Sequence, residues 1–114
     1  MRVLLYQPKT KRTVISILDV TDIKEYIEKL YDGDIDEIPL KRKNLYRIAL
    51  ASHHIYKVQT PACWRVDPDG TCAQLILGDV LFVRKGRKHE YVGLTDKDIV
   101  YITLRYRPYN FSVV

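Results

Sequence analysis

Only one stretch of this chain carries a clear helical period, and it lies among short runs that read as strands. Ile23, Tyr26, Ile27 and Leu30 recur at i, i+3, i+4 and i+7, while Asp22, Glu25, Glu28 and Lys29 fill the opposite face. Asp19 or Thr21 can cap the start, acids occupy the first turn where the helix dipole favours them, and Gly33 supplies a stop. The expected helix covers residues 20–31. Ahead of it, residues 3–6 and 13–18 flank Pro8-Lys9-Thr10-Lys11-Arg12 and predict an opening hairpin. Behind it, residues 34–38 alternate toward Pro39. Tyr46, Ile48 and Leu50 share one face of a strand over 45–50, although a helix through Ala49-Leu50-Ala51 fits the same letters. Residues 55–58, 63–66, 73–77 and 80–83 read as further strands, with Gly78-Asp79 as a turn or a bulge. Thr95 with Asp98 three residues later has the form of a capping box and places a helix from Asp96. Val100, Ile102, Leu104 and Tyr106 nonetheless alternate as a strand would. The expected fold is α+β: a small mixed, mostly antiparallel sheet, one clear amphipathic helix, and a short C-terminal helix giving way to an extended tail.

At 114 residues the chain is expected to be a single domain, 1–114, able to build its own core. No apolar run reaches the roughly 18 residues a membrane span needs, and the opening strand meets Pro8 and Lys9 too soon for a signal-peptide core. A cytoplasmic setting without membrane partners is the expectation. The two cysteines agree with it. Cys63 and Cys72 flank Asp67-Pro68-Asp69-Gly70, a type I turn signal with a bulge position for Gly70. In that register Val66 faces residues 71–72 and Trp64 faces Gln74, so Cys63 lies away from Cys72 and no disulfide is expected.

Charge distribution is the strongest functional signal. The net charge is +5, yet residues 19–37 hold eight acids against Lys24 and Lys29, so the positive excess lies elsewhere. Such a dipolar body orients and accelerates an approaching partner. Two basic segments are the candidate contact residues for a protein or nucleic acid. Arg84, Lys85, Arg87 and Lys88, with His89, follow the apolar run 80–83 and should form an exposed tip. Arg105, Tyr106, Arg107 and Tyr109 interleave guanidinium groups with rings that can stack on bases or anchor an interface. Asp32, Asp34, Asp36 and Glu37 are the candidate acidic surface, able to mimic nucleic acid. Lys41-Arg42-Lys43 reads as a solvated turn.

Chemistry of bond-making finds little support. Asp32-Gly33-Asp34-Ile35-Asp36 opens like a calcium loop, but Glu37 stands where glycine is needed and Lys43 where a bidentate Glu is needed. His53, His54, Cys63 and Cys72 are four potential zinc donors without Cys-x-x-Cys spacing. Cys63 with His54 or His89 lacks a visible orienting group, and no phosphate loop or nucleophile elbow occurs. No cofactor, metal or catalytic residue is expected.

Several ordered segments carry a resemblance: Val3-Leu4-Leu5 with Gln7-Pro8-Lys9, then Tyr31-Asp32-Gly33-Asp34-Ile35-Asp36-Glu37. Leu77-Gly78-Asp79-Val80-Leu81-Phe82-Val83 and Tyr91-Val92-Gly93-Leu94-Thr95-Asp96-Lys97-Asp98-Ile99 complete it. Together they resemble a domain-of-unknown-function family of about this length, carried by phages, plasmids, bacteria and archaea. The family's Asn-Glu-x-Gly segment has no match around residues 51–61. The resemblance implies a mobile-element accessory protein, of the kind that antagonises a host defence nuclease or nucleoprotein. The expected function is therefore non-catalytic binding of a host macromolecule. Direct nucleic-acid binding is the first alternative, and capture of a nucleotide signal between Trp64 and a basic loop is the second. Unpaired sheet edges leave homodimerisation open.

Overall fold

The computed structural model describes residues 1–51 and 60–109. β1 (Arg2–Pro8) and β2 (Thr13–Asp19) form the expected hairpin and α1 (Ile23–Leu30) follows. Next come β3 (Ile35–Pro39), β4 (Leu45–Leu50), β5 (Pro61–Val66), β6 (Cys72–Leu77), β7 (Val80–Lys85) and β8 (Tyr91–Val92). The order closes with α2 (Asp96–Arg105) and β9 (Tyr106–Pro108). The strand expected at 55–58 lies outside the described residues.

The fold is α+β, but richer in sheet than expected. One sheet runs β2-β1-β7-β4-β3 with β8 added to β7, and a second runs β6-β5-β9. Every pairing among the described residues is antiparallel, which replaces the mixed sheet of the sequence reading. Gly78 explains the division. At φ 76° it is neither a hairpin turn nor a ladder bulge; it bends the chain out of the small sheet and into β7 of the large one. Its N–H donates to the Thr60 carbonyl at 2.9 Å.

The uninterrupted apolar runs 3–6 and 80–83 now have a cause. β1 and β7 lie inside the large sheet, and successive side chains alternate faces. Leu4, Tyr6, Val80 and Phe82 pack toward the small sheet and α2, against Ala62, Cys63, Ile76, Ile102 and Tyr106. Val3, Leu5, Leu81 and Val83 pack toward α1, against Ile23, Ile27 and Tyr31. Both faces are covered, so neither strand alternates polar with apolar. The layers are α1, the large sheet, then the small sheet with α2.

Local signals fared unevenly. α1 is capped by Asp22, whose side chain accepts from the Glu25 N–H, and not by Asp19 or Thr21 as expected; it starts at Ile23 instead of residue 20 and ends at Leu30, short of Gly33. Tyr31 ends it because its hydroxyl lies 2.8 Å from the Ile48 and Asp79 carbonyls, a tertiary anchor that an added helical turn would break. In the 67–70 hairpin, Gly70 takes φ 90° and Asp67 accepts its N–H at 2.8 Å, as the turn signal required. Val66 pairs with Cys72 as expected, but a register shift after Arg65 sets Trp64 opposite Leu75 and leaves Gln74 opposite Arg65. Both cysteines are free.

α2 carries the full capping box: the Thr95 hydroxyl accepts from the Asp98 N–H and Asp98 accepts from the Thr95 N–H. Helix wins over strand for 96–105, and the tail turns extended at Tyr106 to pair with β5. Thr95→Ala is expected to lower the unfolding free energy by about 1 kcal/mol, read from the urea midpoint. An unchanged midpoint would mean the cap contributes nothing. No helix among the described residues is long and apolar enough to cross a membrane.

Candidate anion-binding face

Two hollows flank the turn of residues 40–44 between β3 and β4. Leu40 donates to the Leu45 carbonyl at 2.9 Å, and Asn44 closes the turn at φ 69°, a left-handed conformation asparagine tolerates well. This turn, which reads as an ordinary solvated loop in the sequence, is the wall between two basic sites.

The first hollow is a cleft of about 790 Å³ on the side of the large sheet away from α1. It is lined by the 38–42 segment, by Arg47 of β4, by Arg65, Val66, Asp67, Pro68 and Gln74 of the small sheet, and by Tyr101, Arg105 and Tyr106. Arg47 is its defining residue. It is only 7% exposed, because β4 is covered on both faces and Arg47 shares with Leu45 the face toward the small sheet. Its Nη2 donates to Gln74 Oε1 at 3.2 Å and its guanidinium lies 6.0 Å from the Tyr106 ring centroid. Among the described residues no carboxylate pairs with it. Arg65 shares the Gln74 oxygen at 3.5 Å and bonds Asp67 at 3.0 Å. Arg105 lies over the Tyr101 ring at 5.7 Å.

Burial of an arginine normally requires a partner charge, since taking a cation out of water costs several kcal/mol. Among the described residues the available neutralisation is weak. Burial raises the pKa of Tyr106, while the nearby charge of Arg47 and the hydrogen bond it donates, with Arg65 further off, pull it down. Burial likewise pushes the Cys63 thiol up to about 12, with Arg47 acting against it. The cleft brings Lys41, Arg42, Arg47, Arg65 and Arg105 together with a single carboxylate among its lining residues, Asp67.

The second hollow, about 600 Å³, lies across the turn and is lined by Lys43, Asn44, Tyr46, Arg84, Lys85, Gly86, Arg87 and His89. The 86–90 loop is tied by Glu90, which accepts from the Lys88 N–H at 2.9 Å and, through its carbonyl, from Gly86 at 2.8 Å. Successive residues at the end of β7 point to opposite sides. Arg84 bonds Asp98 at 3.0 and 3.1 Å, whereas Lys85 pairs with Glu37 and lies over the rings of Tyr46 and Tyr91.

Asp98 joins the two sites. It is 0% exposed and accepts from Arg42, which lines the first cleft, at 2.9 Å, and from Arg84, which lines the second. Burial pushes its carboxyl up, but the Thr95 backbone N–H, Arg42, the Thr95 hydroxyl and the Arg84 charge outweigh that and hold it below the usual range.

The structure thus gathers Arg84, Lys85 and Arg87 in one hollow and Arg105 in the other. Lys88 is exposed beside the first group without lining the hollow. Arg107 and Tyr109 line neither, and Tyr109 packs with Trp64 at 6.3 Å. Two expectations need correction. Tyr106 is 4% exposed and packs on Phe82 at 4.8 Å, so it is a core residue whose edge reaches the cleft and not a free stacking platform. Glu37 is not free acidic surface: its oxygens are taken by Lys85 and by the Tyr91 hydroxyl at 2.8 Å. Asp32, Asp34 and Asp36 are exposed around the start of β3. Trp64, expected beside a basic loop, lines neither hollow. His53 and His54 lie outside the described residues, and among those described no three His, Cys, Asp or Glu side chains gather as a metal site.

Arg47 and Arg65 are the residues the sequence reading missed, while Lys41, Arg42 and Lys43, read as a solvated turn, line the two hollows. The available signal was an arginine inside a strand whose flanks, Leu45 and Ile48, are both fully buried. No protein-family model, no curated protein and no solved structure matches this chain.

Proposed function

We propose that this protein is a non-catalytic binder of nucleic acid, and that the two hollows and the turn between them form its contact face. One observation carries the reading: Arg47 is buried at the floor of a cleft lined by further cations, with no carboxylate partner among the described residues. A cation kept at such cost is best explained by an anion that arrives from outside, and a phosphate backbone supplies anions at regular spacing along a face. Charge segregation supports the same reading. The acidic face of α1 is on the opposite side of the large sheet from the first cleft, and Asp67, bonded to Arg65, is the one acid among the residues lining it. Cys63, neutral at physiological pH and fully buried, is a packing residue in this account. The mobile-element setting and the defence-antagonist role implied by the family resemblance fit a protein that acts by occupying nucleic acid.

Anisotropy titrations of labelled single-stranded and duplex oligonucleotides across a salt series test it. Affinity should fall linearly on a log–log plot, each phosphate contact adding about 0.7 to 0.9 to the slope. The double variant Arg87→Ala/Lys88→Ala, at the exposed loop, should reduce that slope by about 1.4 to 1.8 while leaving the fold intact. Wild-type protein without salt-sensitive binding to any of these probes overturns the reading. In that case a host-lysate pull-down that survives nuclease treatment would point to an acidic protein as the partner.

A further inference from the structure

We infer that the first cleft is a receptor for a terminal phosphate: a phosphate monoester on a nucleotide, either free or at the end of a strand. The inference takes its source of ligand from the nucleic-acid reading above, but its chemistry stands on the cleft alone.

Four arginines line this cavity: Arg42, whose guanidinium is held by Asp98, and three from separate elements, Arg47 from β4, Arg65 from β5 and Arg105 from the end of α2. Guanidinium groups bind phosphate oxygens through paired N–H donors, and an arginine has five such donors. Arg47 directs one at the amide oxygen of Gln74, a neutral acceptor that an incoming anion can outcompete, and its guanidinium lies 6.0 Å from the Tyr106 ring centroid. Arg65 is half-committed, to Asp67 and the same Gln74 oxygen. Among the described residues, a buried arginine with a single amide acceptor and two half-buried arginines line one hollow, an arrangement suited to an acceptor-rich ligand.

A monoester fits better than a diester for two reasons. It carries between one and two negative charges near pH 7 and three terminal oxygens, against one charge and two oxygens for a backbone diester. Its phosphorus also has a substituent on one side only. The cleft is lined by residues of both sheets, so an end, with chain leaving one way, needs less room there than an internal phosphate with chain leaving both ways. At about 790 Å³ the cleft falls within the range of roughly 300–1,000 Å³ typical of small-ligand sites, enough for the attached nucleoside. The Tyr101 ring, already beneath Arg105, offers that nucleoside a flat wall.

The test compares one oligonucleotide sequence with a 5′-phosphate, with a 3′-phosphate and with hydroxyl ends, alongside a nucleoside 5′-monophosphate and its nucleoside by calorimetry. Wild-type protein should bind a phosphorylated end about tenfold more tightly than the hydroxyl-ended strand, and the monophosphate but not the nucleoside. Arg47→Met and, separately, Arg105→Gln should erase the preference. Arg87→Ala/Lys88→Ala should weaken all strands alike and keep it. Equal affinity for all three strands, with no calorimetric signal from the monophosphate, overturns the inference while the nucleic-acid reading stands. Monophosphate binding without strand binding supports the cleft site, marks the free nucleotide as its ligand and removes the nucleic-acid reading. Silence from every probe ends both.

Discussion

Replacing Arg47 by methionine is expected to leave the fold as stable as the wild type, or more so, while weakening binding of a phosphorylated strand about tenfold. The two effects move apart because they come from different parts of one residue. Arg47 lies in a covered strand on the same face as Leu45, and methionine fills the space of its aliphatic stem with an unbranched, adaptable chain. The guanidinium contributes little to folding, since it is desolvated against a neutral amide and a phenol without a carboxylate among the described residues. Exchanging a buried charge for a well-packed apolar group is commonly neutral or stabilising by about 1–4 kcal/mol. Gln74 is exposed, so its freed oxygen returns to water without penalty. Urea unfolding and anisotropy on the same preparation read both quantities. A loss of several kcal/mol with unchanged affinity would make Arg47 a structural arginine and remove the basis of the proposed site.

Asp98→Asn is expected to produce the reverse pattern, a large loss of stability of about 2–3 kcal/mol. The fully buried carboxylate serves the α2 cap and two arginines at once. An amide keeps the shape but faces both guanidinium groups without charge. The figure lies below that for breaking a wholly buried ion pair because Arg42 and Arg84 are partly exposed and regain water. The pH dependence has a definite sign. The folded carboxyl titrates below its unfolded value, so below about pH 4 the unfolded chain binds more protons and the native state loses this contribution as pH falls. The variant lacks that titration and should show a shallower acid limb than the wild type. Identical acid limbs would mean that other carboxylates dominate acid unfolding.

How much of this was legible beforehand can be judged residue by residue. The α1 face, the capping box at Thr95 and Asp98 and the bulged turn at Gly70 were all readable, because each is fixed by groups within a few residues of one another. The exposed tip at 87–89 was readable for the same reason, but Arg84 and Lys85, expected on it, are half-buried at the end of β7 and held by Asp98 and Glu37. The end of α1 was misplaced because Tyr31 answers to β4 and to the start of β7, not to Gly33. Tyr106 was read as surface because aromatic residues near a tail look unpartnered until the chain folds back and sets one against Phe82. Arg47 was overlooked because alternation in β4 named one apolar face and left the other as solvent by default. Coverage by a second sheet cannot be seen from a single strand's pattern.

The sequence alone determined the α+β character, the capping box of α2, the 67–70 turn and the separation of an acidic helix from basic segments, since these depend on period, local hydrogen bonding and charge along the chain. Only the tertiary structure decided that Gly78 divides the strands into two sheets, that the 40–44 turn separates two basic hollows, and that Asp98 holds an arginine from each. Those features come from residues far apart in the chain, such as Arg42, Arg84 and Asp98, and no local pattern encodes which distant backbone will cover a face or which charge will meet it.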